Sequence, residues 1–473
     1  MVEANIKKEI NFRLDKDRFY RDLYRIFSRD ETLDAIPLEE LMETIPTVDQ
    51  LDDVPPGTVV LVRMDLDVPV KDGGVADSSR IEASLRTLRF CIEKGWTTIL
   101  FGHIGRDKDL TLAPVCRACS KLIGRDIEFI SNWIDEERMK LDDSFVSAIK
   151  AAKPGSLFML ENTRKYDIER ALWKAKEADF QGISADMYEL AADFRERVTV
   201  IEINEAIAAS NFDFSSAALP LIMSKTAMGF YLSEEMNRHI LGARQADMLV
   251  MSGLKINKLD DLENVLTRKS VKRLVVAGSL AMALKKAKAQ FRGGDFCIGK
   301  AETDEKAKYY ISPQRIEQGK RIIALCEQDG VEVILPVDFV LDNGETSEEI
   351  PPGFAQFDVG PKTRKLISKK IADYIAASKK TTDKFTMFYN GVFGKFEDPR
   401  FEAGTREFIA LLKKMTAAGI STYVGGGEGR LALLKYGSLT DVAHAFTAGG
   451  TILKSLSNRH IAFLKAMCLQ NSR

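Results

Sequence analysis

Apolar runs in the first half of this chain end on basic residues. VVLVRMDL carries Arg63 and Asp65, TTILFGHIGR carries His103, Gly105 and Arg106, and LFMLENTR carries Arg164. Arg80 opens the helical pattern SSRIEAS. A guanidinium matches the geometry of phosphate and carboxylate oxygens, so several converging from separate elements make an anion site. A single such arginine is ordinarily a solvated surface charge. Three arginines and a histidine at successive run ends, with Arg80 nearby in sequence, form a pattern.

In the second half the run ends are rich in glycine: SGLKINK at 252–258, AGSLA at 277–281, YNGVFGKFE at 389–397, GGGEG at 425–429 and TAGG at 447–450. Glycines let backbone N–H groups approach phosphate oxygens, and a following helix start adds partial positive charge. No Walker loop is present. Gly425, Gly426 and Gly427 opening a helix, with Lys255 and Asn390 at other run ends, point to a nucleotide. A basic half and a nucleotide half together suggest phosphoryl transfer, which needs positioning and positive charge on the moving group. Closure of two such halves would assemble the site and expel water.

The elements that must hold these residues follow from the apolar pattern. Strands are expected at 58–63, 97–101, 157–160 and 198–201, then again at 248–251, 274–277, 333–335, 385–389 and 422–424, with helical patterns between them. That alternation describes βαβ units and parallel sheets, in which ligands bind at the carboxyl ends of strands. The fold class is α/β: two doubly wound, Rossmann-like lobes joined by a hinge helix. The expected divisions are a helical extension over 1–49, a first lobe over 50–232, a connecting helix over 233–247, a second lobe over 248–455 and a tail over 456–473. In the extension, Phe19, Leu23, Ile26 and Phe27 lie at helical spacing.

The chain has 473 residues and a formal net charge of -1, with 29% charged and 45% apolar residues. This length suits two or more domains, and the balance gives no reason to expect nucleic acid or an anionic membrane as a partner. The six cysteines are too few for a disulfide framework. Cys116 and Cys119 form a Cys-x-x-Cys pair without a second pair or a nearby histidine, which favours a helical reading over a metal or redox one. With no signal-peptide core, no membrane-spanning run and an NSR ending, the cytoplasm is expected.

The ordered motifs resemble those of the phosphoglycerate kinase family over roughly residues 45–455. RMDLDVP at 63–69 resembles RxDFNVP, GHIGR at 102–106 resembles SHLGR, and LENTR at 160–164 resembles LENxR. LPVDFV, DVGPKT, YNGVFGKFE and GGGEG follow in the family's order. The resemblance implies a first lobe for 3-phosphoglycerate or a similar small anion and a second for Mg²⁺ with ATP or ADP. The matching substrate positions are Arg63, Asp65, Asp67, Arg80, His103, Arg106 and Arg164. Arg80, Lys255 and Lys258 are the implied catalytic residues. The implied nucleotide positions are Gly253, Lys255, Lys258, Gly278, Asn390, Glu397, Gly425, Gly426, Gly427 and Glu428, with Glu428 also on the metal. The tail is expected to pack Ile461, Phe463, Leu464 and Met467 against the first lobe.

There are departures from the family pattern. Asp67 replaces the motif's asparagine. In the stretch 204–216, Phe212 stands where the family has an arginine, and Asn211 and Phe214 where it has histidines. Lys258 sits one residue early, Glu428 and Gly429 replace Asp-Thr, Val392 replaces a proline, and Ala448 interrupts a glycine-rich turn. Two readings follow: a phosphoglycerate kinase-type phosphotransferase of glycolysis, or a weakened or inactive relative that serves as a binding or structural subunit. The N-terminal extension could dock a protein partner under either.

Overall fold

The computed structural model describes residues 16–457 and 461–472. The chain divides into two compact units. The first comprises the described residues up to Arg238 together with 461–472, and the second runs from His239 to Ser457.

The first unit is built on six parallel strands: β1 (Val59–Arg63), β2 (Thr97–Phe101), β3 (Glu128–Ile130), β4 (Leu157–Leu160), β5 (Ile201–Asn204) and β6 (Lys225–Met228). Their order across the sheet is β6-β5-β1-β2-β4-β3. Side chains alternate between two cores. Leu61, Ile99, Phe101, Phe158 and Leu160 enter one; Val60, Val62, Leu100, Met159 and Ile203 enter the other. Burial on both faces explains why β1, β2 and β4 read as continuous apolar runs. The chain steps from β1 to β2 on one side, and β5 later returns to the other side of β1. That reversal opens a crevice at the carboxyl ends of β1 and β5.

The helix Lys16–Phe27 belongs to this unit. Phe19, Leu23 and Ile26 are buried at i, i+4 and i+7, and the Phe19 ring meets Tyr188 edge-on at 5.3 Å. The apolar face that sequence patterning gives the extension is thus used internally; residues 1–15 lie outside the described residues. The helix Ala462–Asn471 packs into the same core through Ala462 and Ala466, and Ile461, Phe463, Leu464 and Met467 are all buried. Cys116 and Cys119 are free thiols in the helix Ala113–Ile123. Burial raises them to about 11 and about 12, far from the thiolate that redox or metal chemistry needs.

The second unit repeats the design with β7 (Met248–Met251), β8 (Arg273–Val276), β9 (Glu332–Ile334), β10 (Thr386–Asn390), β11 (Ser421–Gly425) and β12 (His444–Ala445). All are parallel in the order β9-β8-β7-β10-β11-β12, so the reversal falls between β7 and β10. A small antiparallel sheet of Phe339–Leu341, Thr346–Ser347 and Gln356–Val359 accompanies it. Where a helix is expected over 233–247, the chain is helical over Phe230–Glu234, Glu235–Ile240 and Leu241–Arg244, the second of these being π-helical. Two parallel six-stranded sheets with flanking helices make the expected α/β two-lobed fold.

Candidate functional site

In the first unit the basic residues sit around the β1/β5 crevice, but they are not equally available. Arg63 is fully buried. Its Nε donates to Ser215 Oγ at 3.0 Å and its Nη2 to Asp213 Oδ2 at 3.5 Å, with Glu169 Oε1 at 3.7 Å. Two carboxylates therefore stand against one guanidinium. Burial, and then the neighbouring Asp213, push Glu169 up to about 7. Glu202, behind Arg63 on β5, is pushed up to about 8 by burial. Asp65 is also buried; burial raises its carboxyl, while the Arg80 charge and the Ala208 N–H that it accepts at 3.1 Å act the other way.

Arg80 Nη1 donates to the Asp67 carbonyl at 2.7 Å, and Asp67 Oδ2 lies 3.8 Å from the same nitrogen. Asp67 Oδ1 accepts from the Gly105 N–H at 2.8 Å. The carboxylate that replaces the motif's asparagine thus ties the β1 loop to the β2 loop and sits beside Arg80. Gly105 has φ of 60°, a conformation open to glycine at low cost. Arg106 is exposed. Arg164 is buried, donates Nη1 to the Gly105 carbonyl at 2.5 Å and lies 5.1 Å from the Trp173 ring centroid. His103 is buried and held well below its usual range by burial and by Arg164, Arg63, Arg80 and Arg170, so its imidazole is neutral at physiological pH. Phe212 is half-buried, with its ring 6.3 Å from Phe27, and it packs on the core.

In the second unit the β7/β10 reversal packs glycine backbone closely about the Lys258 ammonium. Lys258 Nζ donates to the Ser252 carbonyl at 2.7 Å. A Cβ on Gly391 (φ 98°) would lie 2.0 Å from that carbonyl and 2.9 Å from Nζ, and one on Gly253 (φ 112°) would lie 3.0 Å from Nζ and 3.5 Å from Glu428 Oε2. A Cβ on Gly278 would strike Gly253 O at 2.8 Å. Glycine is required at all three, and the result is backbone brought close to a cation. Burial lowers Lys258 to about 8, against the opposing pull of Glu428. Asn390, at the end of β10, is buried with Oδ1 unpartnered, and its Nδ2 faces Gly425 and Gly426. Gly426 (φ 87°) opens the helix Gly427–Tyr436, whose first turn carries Glu428. Lys255 and Glu397 are exposed.

The structure adds residues that motif reading passed over. Asp213 lies one residue after Phe212 and is buried against Arg63. Glu169, Arg170 and Trp173 fall in the 3₁₀ turn Asp167–Trp173, which no apolar periodicity marks. Gly391 and Ser252 lie within quoted motifs and pack directly against the Lys258 ammonium.

Two doubly wound units, one with guanidiniums and one with glycines and a lysine at the ends of its strands, define an α/β architecture of the two-lobed phosphotransferase class. The chain belongs to the phosphoglycerate kinase family, whose model matches residues 50–459. It is 28% identical over 418 residues to the phosphoglycerate kinase of Finegoldia magna, covering 85% of this chain and 93% of that one. It is 28% identical over 431 residues to that of Saccharomyces cerevisiae, covering 86% and 95%. The solved phosphoglycerate kinase structures from Coxiella burnetii and Pyrococcus horikoshii share the fold. The first has a TM-score of 0.66 at 24% identity, covering 89% of this chain and 98% of that one. The second has a TM-score of 0.69 at 22% identity, covering 90% and 100%. The function is phosphoglycerate kinase-like.

Proposed function

We propose that this chain transfers a phosphoryl group between 1,3-bisphosphoglycerate and ADP, with 3-phosphoglycerate and ATP as products, in the cytoplasm. The observation that carries this reading is the close approach of Gly253 and Gly391 backbone to the Lys258 ammonium, with Gly278 packed on Gly253, at the switch point of the second sheet. It offers backbone at close range, one ammonium and a helix start at Gly427, which together suit a nucleotide's phosphates. Lys255 and Asn390 extend that cradle, and Glu397 is assigned to the ribose.

In the first unit, Arg80, His103, Arg106 and Arg164 hold the acyl phosphate or its carboxylate product. Arg80 is assigned to the transferring group and Asp65 to the substrate hydroxyl. Arg63 acts from beneath as a buried, internally paired cation that orders the Asp213 and Ser215 loop.

A Mg²⁺ ion would be held mainly by the nucleotide. Among the described residues no group of three or more His, Cys, Asp or Glu side chains is arranged for a metal, so a protein cage does not fit. One carboxylate, Glu428, at the helix start fits an ion that keeps several waters and bonds to phosphates. Such an ion would neutralise charge on the phosphoryl group. The protein's own part is to orient the chain of phosphates and supply the Lys258 ammonium.

With Asp67 beside Arg80, and Asp213 and Glu169 on Arg63, the anion field is weaker than the number of arginines suggests, and turnover is expected to be slow. A coupled assay of ATP formation from 1,3-bisphosphoglycerate and ADP tests the proposal. Binding of both ligands with no ATP formed, in wild type and in Asp67→Asn, would replace it with the reading of a binding subunit.

A further inference from the structure

The first unit contains an arrangement that the motif residues do not account for. Arg164 Nη1 donates to the carbonyl of Gly105 at 2.5 Å, and Arg170 Nη1 donates to the carbonyl of the next residue, Arg106, at 2.8 Å. Both guanidiniums also lie against one indole, 5.1 and 5.9 Å from the Trp173 centroid. Trp173 is fixed in turn by its Nε1, which donates to Asp213 Oδ1 at 2.7 Å. Asp213 thus bridges the buried Arg63 and the half-exposed Trp173. His103 feels the charge of both Arg164 and Arg170. It is buried, and its Nδ1 has no hydrogen-bond partner; Arg164 Nε is buried without one as well.

The unmet His103 Nδ1 and Arg164 Nε are costly unless something else meets them. A guanidinium held at one nitrogen by a carbonyl and across its face by an indole keeps its other N–H groups fixed in direction. Two of them on adjacent carbonyls present their donors in a fixed relation, which suits a compact oxyanion with several acceptor oxygens. Phe212, turned to the core, contributes no charge here.

Resting on the reading of the first unit as an anion site, we infer that Arg170 is a substrate-binding residue and Trp173 its positioning residue. Together with Arg164 and His103 they form a clamp for the phosphate or carboxylate group of the small anion. Arg170 supplies the charge. Trp173 aligns Arg164 and Arg170, and Asp213 sets the plane of its ring.

Calorimetry on the full chain with 3-phosphoglycerate and with inorganic phosphate tests the clamp, and tryptophan emission reports on it independently. Trp96 and Trp133 are buried, at 0% and 1% exposure, so a ligand-induced change in emission is expected from Trp173. We expect 3-phosphoglycerate to bind and to shift the emission. Arg170→Ala should weaken binding about tenfold or more with an unchanged melting temperature, consistent with loss of a charged hydrogen bond. Arg170→Lys, which keeps the charge without the planar fork, should recover part of that loss. Trp173→Phe should weaken binding and remove the emission change.

Binding within about twofold of wild type in Arg170→Ala, with emission unmoved at saturation, overturns the clamp while leaving the functional reading intact. If wild type takes up phosphate through Arg170 but takes up no 3-phosphoglycerate at millimolar concentration, the functional reading fails and the clamp stands. Uptake of neither overturns both.

Discussion

Lys258 gives nucleotide binding a pH dependence that can be worked out in advance. Its ammonium is lowered to about 8, chiefly by burial, with Lys255 adding to the fall and Glu428 and Asp261 opposing it. A phosphate placed beside Lys258 favours the charged form, so affinity follows the fraction of Lys258 that is protonated in the unliganded chain. For a group titrating at about 8, that fraction falls about tenfold between pH 7 and pH 9, or about 1.4 kcal/mol of binding free energy. A phosphate monoester's second ionisation has its midpoint near pH 6 and is largely complete at the start of this window. The assay is calorimetric titration with Mg-ADP at half-unit steps from pH 7 to 9.5. Wild type should weaken steadily. Lys258→Arg, which stays charged throughout, should bind with a flatter profile whatever its absolute affinity. A flat wild-type profile, or an equal slope in Lys258→Arg, would refute the assignment of Lys258 to the phosphates. The sign for stability is opposite. Without nucleotide the folded state binds fewer protons at Lys258 than the unfolded state, above about pH 8 and up to the ordinary lysine range. Wild type should therefore gain about 1–2 kcal/mol relative to Lys258→Met between pH 8 and 9.5.

Other perturbations test other parts of the structure. Gly391→Ala places a Cβ 2.0 Å from the Ser252 carbonyl at φ 98°; it should lower stability by about 1–3 kcal/mol and abolish Mg-ADP binding, checked by urea unfolding and calorimetry. Arg63→Met leaves Glu169 and Asp213 without their cation and should cost about 3–5 kcal/mol, followed by the fluorescence of Trp96 and Trp133 in urea. Asp67→Asn removes the carboxylate beside Arg80 and should tighten 3-phosphoglycerate binding several-fold, checked by titration at two salt concentrations. Leu23→Ala should destabilise the first unit by about 2–5 kcal/mol, since its side chain is fully buried.

The sheets were legible because their strands are buried on both faces. The runs at 97–101, 157–160 and 248–251 coincide with β2, β4 and β7. The strand expected at 198–201 lies instead at Ile201–Asn204, because the helix Glu177–Arg197 runs up to Val198 and buried Glu202 breaks the apolar run. The strand Glu128–Ile130 is partly exposed, and Lys225–Met228, though largely buried, is the short mixed run KTAM, so neither gave an apolar run to read. Within the sites, spacing identified which charges lie at strand ends. It could not show which are already matched: Asp213 and Glu169 reach Arg63 from 150 and 106 residues away in sequence, and no local pattern reports a pairing of that separation.

The return of residues 461–472 to the first unit has a consequence for how the protein is made. Strand β6 ends at Met228, and the helix that completes the same core follows roughly 230 residues later. At a synthesis rate of about 5–20 residues per second, the nascent first unit waits about 10–50 s with an open flank. During that interval Leu219, Leu221 and Ile222, which lie in the core entered by Ala462 and Ala466, have no covering helix. The second unit is emitted whole within the same interval and can close on itself. The ribosome thus delivers a finished insert into an unfinished host, and the apolar flank left waiting is where a chaperone would bind.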